Sequence, residues 1–202
     1  TDSGHGDLAR PLSLQFDGEA APGEAFAHMV PNQASASALL KAAEGLFEMI
    51  APAEITDWSG NGALARLTLA DGRILSAPLI IAADGAQSSL RQRAGIGTFG
   101  HDYNQTGLVA TIAHQLPHDG VAYEHFRPSG SFASLPLPGN RSSLVWTETR
   151  ENAPRFLAMD PATLALEIEN VMGSTLGSVT VEDKLAGFPL RLQLANDPEW
   201  VN

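Results

Sequence analysis

The sequence of 202 residues contains no cysteine. Its absence excludes disulfides, thiolate nucleophiles and cysteine-based metal sites. Basic residues are also few, because 12 Lys and Arg stand against 23 Asp and Glu, for a formal net charge of −11. Binding a nucleic-acid backbone requires clustered Lys and Arg, so we expect no nucleic-acid partner. No apolar run approaches the roughly 20 residues of a membrane helix, so we expect no transmembrane segment.

Other signals are missing as well. No basic and then apolar signal peptide opens the chain, and no Gly-x-Ser-x-Gly elbow indicates an α/β-hydrolase. No terminating element is evident over residues 195–202, so we expect an internal fragment that ends in a truncated tail. Several histidines lie close in sequence but lack the paired spacing of a metal site, so no metal is expected. They are His101, His114, His118 and His125.

Apolar residues make up 44% of the chain, which is enough for a buried core. Residues 12–16 predict a short strand. Pro31 and Asn32 then open a helix in which Asn32 is the expected N-cap, because apolar residues recur downstream at helical spacing. This apolar stripe consists of Leu39, Leu40, Ala43, Leu46, Phe47 and Ile50.

A hairpin with a type I′ turn is predicted at Asp71-Gly72, between strands at 64–70 and 73–77. The next run, Leu79 to Ala83, is short and continuously apolar. That pattern is typical of a parallel strand buried on both faces. Residues 88–94 predict a short helix that ends at Gly95.

The second half of the chain has a different pattern. Asp160 and Pro161 predict the start of a helix that ends at Gly173, and residues 188–194 predict a last strand. Before them come four strand-like runs separated by Gly and Pro clusters, which together predict an antiparallel meander. The four runs are residues 107–113, 121–127, 132–137 and 142–148.

The strongest local motif directly follows the predicted parallel strand. Asp84 and Gly85 lie at the expected carboxyl end of that strand, where open α/β sheets bind ligands. Ser88 can cap the next helix and Arg91 lies in its first turn, so the set suits sugar hydroxyls and phosphate. The other interpretation is a strand-to-helix turn in which Asp84 only caps the helix, because Asp-Gly turns are common. The residues alone leave both interpretations open.

This motif resembles the second conserved motif of the para-hydroxybenzoate-hydroxylase-type flavoprotein monooxygenases. The surrounding sequence is most similar to the branch of ubiquinone-biosynthesis aromatic hydroxylases, and the resemblance covers nearly the whole chain. The ordered set of matching stretches is more specific than the aspartate motif alone. The stretches are residues 16–19, 26–32, 82–96, 103–105, 122–126, 132–138, 143–148 and 188–190.

The resemblance implies an α/β (α+β) fold, with part of an FAD-binding Rossmann-like lobe and a mainly antiparallel substrate-binding sheet flanked by helices. Residues 31–97 would be the remnant of the FAD- and NAD(P)H-side lobe, and residues 1–30 and 98–194 the substrate lobe. Asp84 and Gly85 would lie near the nucleotide with Ser88 and Arg91, while Asn32 would begin a helix that faces the flavin. The parent enzyme would use FAD and NAD(P)H to hydroxylate a 2-polyprenylphenol-type substrate.

The resemblance also implies a substrate, partner proteins and a location in the cell. A prenylated phenol would be the substrate, and other ubiquinone-biosynthesis proteins are candidate partners. The protein is expected to be cytoplasmic, with a peripheral position at the inner membrane as an alternative because such a substrate is membrane-borne. The acidic composition, without a basic patch, gives no sign of direct attachment to anionic lipid.

Part of the family pattern is missing from these residues. The only Gly-x-Gly-x-x-Gly match is Gly95, Gly97 and Gly100. A dinucleotide fingerprint must follow a strand and open a helix, whereas this match follows a predicted helix. We therefore interpret it as a helix stop and a link. Without the phosphate-binding helix start, we expect the fragment alone to bind no flavin and to be inactive.

The large apolar residues of the predicted meander, His125, and the function of the whole chain each have two interpretations. Phe132, Leu135, Leu144 and Trp146 could contribute to a wall for an aromatic ring, but core packing is the favoured interpretation for such residues. Phe132 and Leu135 point to opposite faces of one strand, so both cannot line the same wall. His125 shares a strand face with Tyr123 and Arg127, and that face is exposed to solvent or directed into the substrate cleft. For the whole chain, the alternative to a hydroxylase fragment is a flavin-independent lipid-binding or protein-interaction module. The intact Asp84 motif favours the hydroxylase.

Overall fold

The computed structural model describes residues 14–16, 18–60 and 63–196. The chain divides into two compact units, unit 1 with residues 1–38 and 102–190, and unit 2 with residues 39–101 and 191–202. The strands are β1 Glu19–Ala21, β2 Glu24–Ala25, β3 Ile55–Gly60, β4 Ala65–Leu69, β5 Ile74–Ala77, β6 Thr98–His114, β7 Tyr123–Arg127, β8 Gly130–Leu137, β9 Arg141–Thr149, β10 Val179–Val181 and β11 Ala186–Ala195. The helices are α1 Asn32–Ala43, α2 Ser89–Arg93, α3 Ala153–Leu157 and α4 Pro161–Met172.

Unit 1 is organised around the largest sheet. Its strand order is β10-β6-β9-β8-β7, and β11 also pairs with β6. All four predicted strands exist and their pairs are antiparallel. The predicted order is wrong in one respect, because β6 lies beside β9 and not beside β7. Residues 115–122 carry the chain to the far edge, and the β7-β8-β9 meander then returns to β6. Strand spacing along a sequence does not specify this choice of neighbour.

One face of this sheet holds the core of unit 1. Trp146 lies opposite Leu108 on β6 and Phe132 on β8, and all three side chains are fully buried. Because side chains alternate along a strand, the even-numbered residues of β9 all point to this face. Helices α3 and α4 contribute buried apolar residues to the same cluster, among them Phe156 and Ile168.

Helix α4 follows the sequence prediction closely. The Asp160 side chain accepts hydrogen bonds from the backbone N–H groups of Ala162 and Thr163, at 3.1 and 3.0 Å. The Gly173 backbone, with φ of 65°, ends the helix. Its buried residues recur at helical spacing, and each of the large ones, Leu164, Ile168 and Met172, contributes roughly 1.5–3 kcal/mol when fully buried. The buried residues are Leu164, Ala165, Ile168 and Met172.

Unit 2 contains the antiparallel sheet β3-β4-β5. The predicted hairpin at Asp71-Gly72 is confirmed, but its type I′ turn is wrong. That turn needs positive φ at two residues, whereas only Gly72 has it, at 87°. Asp71 instead accepts hydrogen bonds from the Arg73 backbone N–H and Nε, at 3.0 and 2.7 Å. These bonds stabilise the turn without a left-handed residue at Asp71.

The predicted buried parallel strand at residues 79–83 is wrong. These residues form no strand, and Leu79 and Ile81 are 49% and 78% exposed. A strand obtains its backbone hydrogen bonds from neighbouring strands, and no strand among the described residues pairs with this segment. A Rossmann-like lobe is therefore not seen in the described part of the chain.

Helix α1 forms where predicted but is not buried. None of its residues is buried, and Leu39 is 70% exposed. The helix ends at Ala43, so Leu46, Phe47 and Ile50 lie beyond it. The predicted last strand is confirmed as β11. Residues 14–16 form no strand, which corrects the prediction for 12–16; residues 12 and 13 and the tail from 197 lie outside the described residues.

Candidate functional site

The Asp84 cluster, meaning Asp84, Gly85, Ser88 and Arg91, surrounds the start of α2. One carboxylate oxygen of Asp84, Oδ2, accepts hydrogen bonds from the N–H groups of Ser89 at 2.9 Å and Leu90 at 3.4 Å. Ser88 Oγ accepts from the Arg91 N–H at 3.0 Å, as predicted for an N-cap. Gly85 adopts φ of 86°, a conformation that favours glycine. Four residues close in sequence thus form one polar turn.

Hydrogen bonding keeps Asp84 ionised. The Ser88 hydroxyl contributes most, followed by the backbone N–H groups, and together they lower the pKa of this exposed carboxyl. Asp84 therefore does cap the helix, as one of the two interpretations held. It also presents a fixed negative charge beside a backbone that nothing covers, because a Cβ at Gly85 would meet no atom within 4 Å.

Arg91 contributes an unusual donor to the Asp84 cluster. Its Nε is buried without a hydrogen-bond partner. The preceding residue, Leu90, is also buried, with 9% exposure. Leaving a buried donor unpaired costs roughly 1–3 kcal/mol. A bound acceptor would remove that cost.

The rejected glycine match has structural roles. Gly95, with φ of 71°, follows α2, and Gly100 lies inside β6. A Cβ at Gly100 would lie 2.0 Å from the carbonyl oxygen of Leu192, so only glycine fits there. The three glycines therefore do not open a phosphate-binding helix.

Asn32 belongs to unit 1, whereas the Asp84 cluster belongs to unit 2. Asn32 is exposed and is the first residue of α1 rather than the residue before it. The Pro31 carbonyl accepts the first backbone bonds, from Ala34 at 2.9 Å and Ser35 at 3.2 Å. The start of this helix is thus displaced by one residue from the expected N-cap.

The proposed substrate residues separate onto two faces of the large sheet. Phe132 and Trp146 pack in the core, with ring centroids 5.2 Å apart, and the favoured packing interpretation agrees with this position. His125 lies on the same face, half-buried at its margin and edge-on to Phe132 at 6.1 Å. Burial lowers the pKa of His125. Leu135 alone points to the opposite face.

That opposite face, here called the open face, is built mostly from small and β-branched residues and is partly exposed, although Ala133 at its centre is 6% exposed. Its central row is Val109, Val145 and Ala133, which lie side by side on β6, β9 and β8. The rows of residues on either side of this central row also consist mainly of small side chains. They consist of Thr111, Ser143 and Leu135, and of Gly107 and Thr147.

Sequence reasoning missed a buried ionic cluster on the core face. Glu148 is 2% exposed, and its Oε1 accepts from Arg127 Nη1 at 2.9 Å, Trp146 Nε1 at 3.0 Å and Ser129 Oγ at 3.1 Å. The Arg127 guanidinium also lies 5.3 Å from the centre of the Trp146 ring. The sequence does contain a signal for this burial. Glu148 comes two residues after Trp146 on a predicted strand, so both side chains must point to the same face.

The histidines have structural roles. His114 Nδ1 lies 2.7 Å from the Leu116 carbonyl oxygen, which can only accept, so this nitrogen carries the proton. His114 Nε2 then accepts from the Ser142 hydroxyl at 3.1 Å. His118 donates to the Leu137 carbonyl oxygen at 2.8 Å. No group of three or more metal-ligating side chains occurs among the described residues.

Comparison with known proteins gives a consistent result, although no family model matches the chain. Ubiquinone hydroxylase UbiL of Rhodospirillum rubrum is 38% identical over 192 residues, which are 94% of this chain and 44% of UbiL. The 3-demethoxyubiquinol 3-hydroxylase of Escherichia coli is 32% identical, over 76% of this chain and 40% of that enzyme. The homologues of this chain are thus ubiquinone hydroxylases. The chain spans less than half the length of these two relatives.

Solved structures agree with this result at the level of fold. Pseudomonas aeruginosa PqsL in complex with 2-aminobenzoylacetate has a TM-score of 0.63 and 22% identity, over 80% of this chain and 47% of PqsL. The anhydrotetracycline hydroxylase OxyS of Streptomyces rimosus has a TM-score of 0.58 and 19% identity, over 83% of this chain and 34% of OxyS. The sheet-rich fold of this chain is thus shared with PqsL and OxyS. Within its described residues, no helix is both long and apolar enough to cross a bilayer.

Proposed function

We propose that this chain supplies the substrate-binding sheet and one nucleotide-side motif of an FAD- and NAD(P)H-dependent hydroxylase that acts on a prenylated phenol. Similarity to ubiquinone hydroxylases over 94% of the chain supports the reaction and the substrate class. The observation that carries the nucleotide part is the Asp84 cluster, in which an ionised carboxylate and an unpaired buried guanidinium nitrogen share one turn.

The Asp84 cluster fits a dinucleotide cofactor chemically. Asp84 would accept from ribose hydroxyls, Arg91 would donate to an anionic oxygen, and Gly85 would let the ligand approach the backbone. Ser88 would hold the carboxylate in place. When bound, FAD supplies the activation of O₂ that an aromatic hydroxylation requires, with electrons from NAD(P)H. This chain's residues would bind and orient the cofactor.

The open face is the proposed substrate wall. A flat aromatic ring with an apolar tail needs a smooth apolar surface with few polar groups. The row Val109, Val145 and Ala133 offers such a surface, whereas Phe132 and Trp146 are sealed in the core. Of the four substrate residues expected from sequence, Leu135 is the one that lies on this surface. Phe132, Trp146 and His125 would support it from behind.

The test uses the full-length protein that contains this chain, loaded with FAD and supplied with NADH or NADPH, O₂ and a 2-polyprenylphenol. We expect a product with one added oxygen atom. Val145→Trp should lower kcat/KM about tenfold or more, equivalent to about 1.4 kcal/mol of transition-state binding, and should leave flavin content unchanged. Leu166→Trp, at an exposed position of α4, is the matched control.

Each part of the proposal can fail separately. Absence of oxygenated product from the flavin-loaded enzyme with both nicotinamide cofactors would overturn the hydroxylase assignment. Equal activity of Val145→Trp and Leu166→Trp would overturn the open face as the substrate wall. Full flavin retention in Asp84→Ala and Arg91→Ala variants, with unchanged NAD(P)H kinetics, would remove the Asp84 cluster from cofactor binding.

A further inference from the structure

Gln105 lies at one end of the open face, on the same strand as Val109. It pairs with Thr149 of β9, and the alternation of side chains along β6 places Gln105 and Val109 on the same face. Gln105 is half-buried. The rows of the open face named above contain hydroxyl groups but no amide. Gln105 therefore brings a different polar group to the margin of this surface.

A hydrogen bond across the sheet fixes the Gln105 amide. Its Nε2 donates to the Ser129 carbonyl oxygen at 2.9 Å. Ser129 lies in the turn between β7 and β8, whereas β9 separates β8 from β6, so this bond reaches across β9. Ser129 is held in turn, because its Oγ donates to the buried carboxylate of Glu148 at 3.1 Å. The amide is thus tied to the ionic cluster of the core face.

Gly130 leaves the space in which this amide lies. A Cβ at Gly130 would be 2.5 Å from Thr147 Cγ2 and 3.2 Å from Gln105 Nε2. Both distances are shorter than ordinary van der Waals contacts, so a side chain at this position would displace Thr147 or the amide. Gly130 also has φ of 135°, a conformation that favours glycine. The turn therefore leaves room for the amide, and the hydrogen bond to Ser129 sets its orientation.

The Gln105 amide keeps most of its hydrogen-bonding capacity. A carbonyl oxygen can only accept, so the atom bonded to Ser129 is the nitrogen, and Oε1 is the other end of the amide. The second N–H of Nε2 and both lone pairs of Oε1 have no hydrogen-bond partner among the described residues. A ligand that bonds to an amide already held in place does not have to order it, which raises affinity. Oε1 is therefore a pre-oriented acceptor at the margin of the open face.

We propose that Gln105 orients the substrate on the open face, with Oε1 accepting a hydrogen bond from the phenol hydroxyl while the ring and its apolar tail lie over the central row. This inference rests on the proposed function, because it requires the open face to be the substrate wall. A ring without the hydroxyl would remove water from Oε1 and return no hydrogen bond, which is unfavourable. Gln105 therefore selects hydroxylated rings and sets the direction of the ring on the sheet.

The test measures binding without turnover, in the FAD-loaded full-length protein that contains this chain and without NAD(P)H. The two probes, 2-prenylphenol and prenylbenzene, differ only in the hydroxyl group, and equilibrium dialysis gives the Kd of each. Gln105→Met keeps the length of the side chain but removes the amide. We expect it to lower the ratio of the prenylbenzene Kd to the prenylphenol Kd about tenfold, the value of one hydrogen bond. A role of Gln105 in folding alone would change both Kd values by the same factor.

Gln115→Met is the matched control, because it makes the same substitution at an exposed position after β6, and its ratio should equal that of the parent. Circular dichroism checks that each variant keeps its sheet. If Gln105→Met does not, Gln105→Asn carries the test, since its shorter side chain cannot reach Ser129 and should also lower the ratio.

The outcomes separate this inference from the proposed function. If the parent binds both probes and the ratio is unchanged in the folded Gln105 variant, the role of Gln105 is overturned and the hydroxylase proposal stands. An equal fall of the ratio in Gln115→Met would overturn the role of Gln105 as well. A parent that binds neither probe contradicts the proposed function itself, and the role of Gln105 falls with it.

Discussion

Replacing Glu148 by alanine tests the energetics of the core face of the large sheet. The substitution removes one acceptor, Oε1, from three donors: Arg127 Nη1, Trp146 Nε1 and Ser129 Oγ. Breaking a buried ion pair by removing one partner costs about 3–5 kcal/mol. Because the Arg127 side chain is 24% exposed, water can reach part of it, so we expect a value near the lower end, about 3 kcal/mol. Glu148→Gln keeps an acceptor oxygen and the shape, and should cost about 1–2 kcal/mol.

The measurement is urea unfolding of the chain followed by circular dichroism. Fluorescence is unsuitable, because the substitution changes the surroundings of Trp146 directly. Glu182→Gln weakens the exposed pair with Arg141 and should cost less than about 1 kcal/mol. If Glu148→Ala costs no more than Glu182→Gln, the Glu148 cluster does not stabilise the sheet as described.

Three further predictions concern polar groups with contrasting partners. Ser134 Oγ is buried without a hydrogen-bond partner, so Ser134→Ala should be neutral or stabilising. Ser142→Ala should instead cost about 1–2 kcal/mol, because His114 loses the hydroxyl that donates to it. If urea unfolding shows Ser134→Ala to be the more destabilising of the two, these assignments are contradicted. Asp160→Ala should cost about 1 kcal/mol through loss of the α4 cap, measured by thermal unfolding, and an unchanged Tm would refute it. The pKa of Asp84 is lowered in the folded chain from a reference value of 3.8, so its contribution is present above that value and lost as pH falls through the folded pKa. The stability difference between the parent and Asp84→Asn should therefore shrink below about pH 4, and a difference independent of pH would count against the hydrogen bonds assigned to Asp84.

Features determined by adjacent residues were predictable from the sequence. Asp160 and Pro161 begin α4 and Gly173 ends it, because caps depend on local hydrogen bonds and backbone preferences. The Ser88 cap and the Gly95 stop of α2 follow in the same way. The hairpin at Asp71-Gly72 was also predictable, although the turn type was not, since the Asp71 side chain supplies an alternative set of bonds.

Features that depend on distant residues were less predictable. The apolar run at residues 79–83 matches a buried strand, but a strand forms only beside a pairing neighbour, and none is present among the described residues. The placement of β6 beside β9 likewise depends on the path of residues 115–122. Periodicity identified Trp146 as a core candidate, yet it could not show that Glu148 is buried with it, because its partner Arg127 comes from another strand.

We propose that this chain provides the substrate sheet and one nucleotide-side motif of a longer protein, and that the main phosphate contact of FAD lies outside these residues. The most direct measurement is the flavin absorbance of two purified samples, the chain alone and the full-length protein, after identical incubation with FAD. The account predicts about one flavin per full-length polypeptide and none on the chain alone, because FAD affinity depends largely on a pyrophosphate bound at a helix N-terminus. Stoichiometric flavin on the chain alone, or a full-length protein that cannot retain FAD, would contradict it.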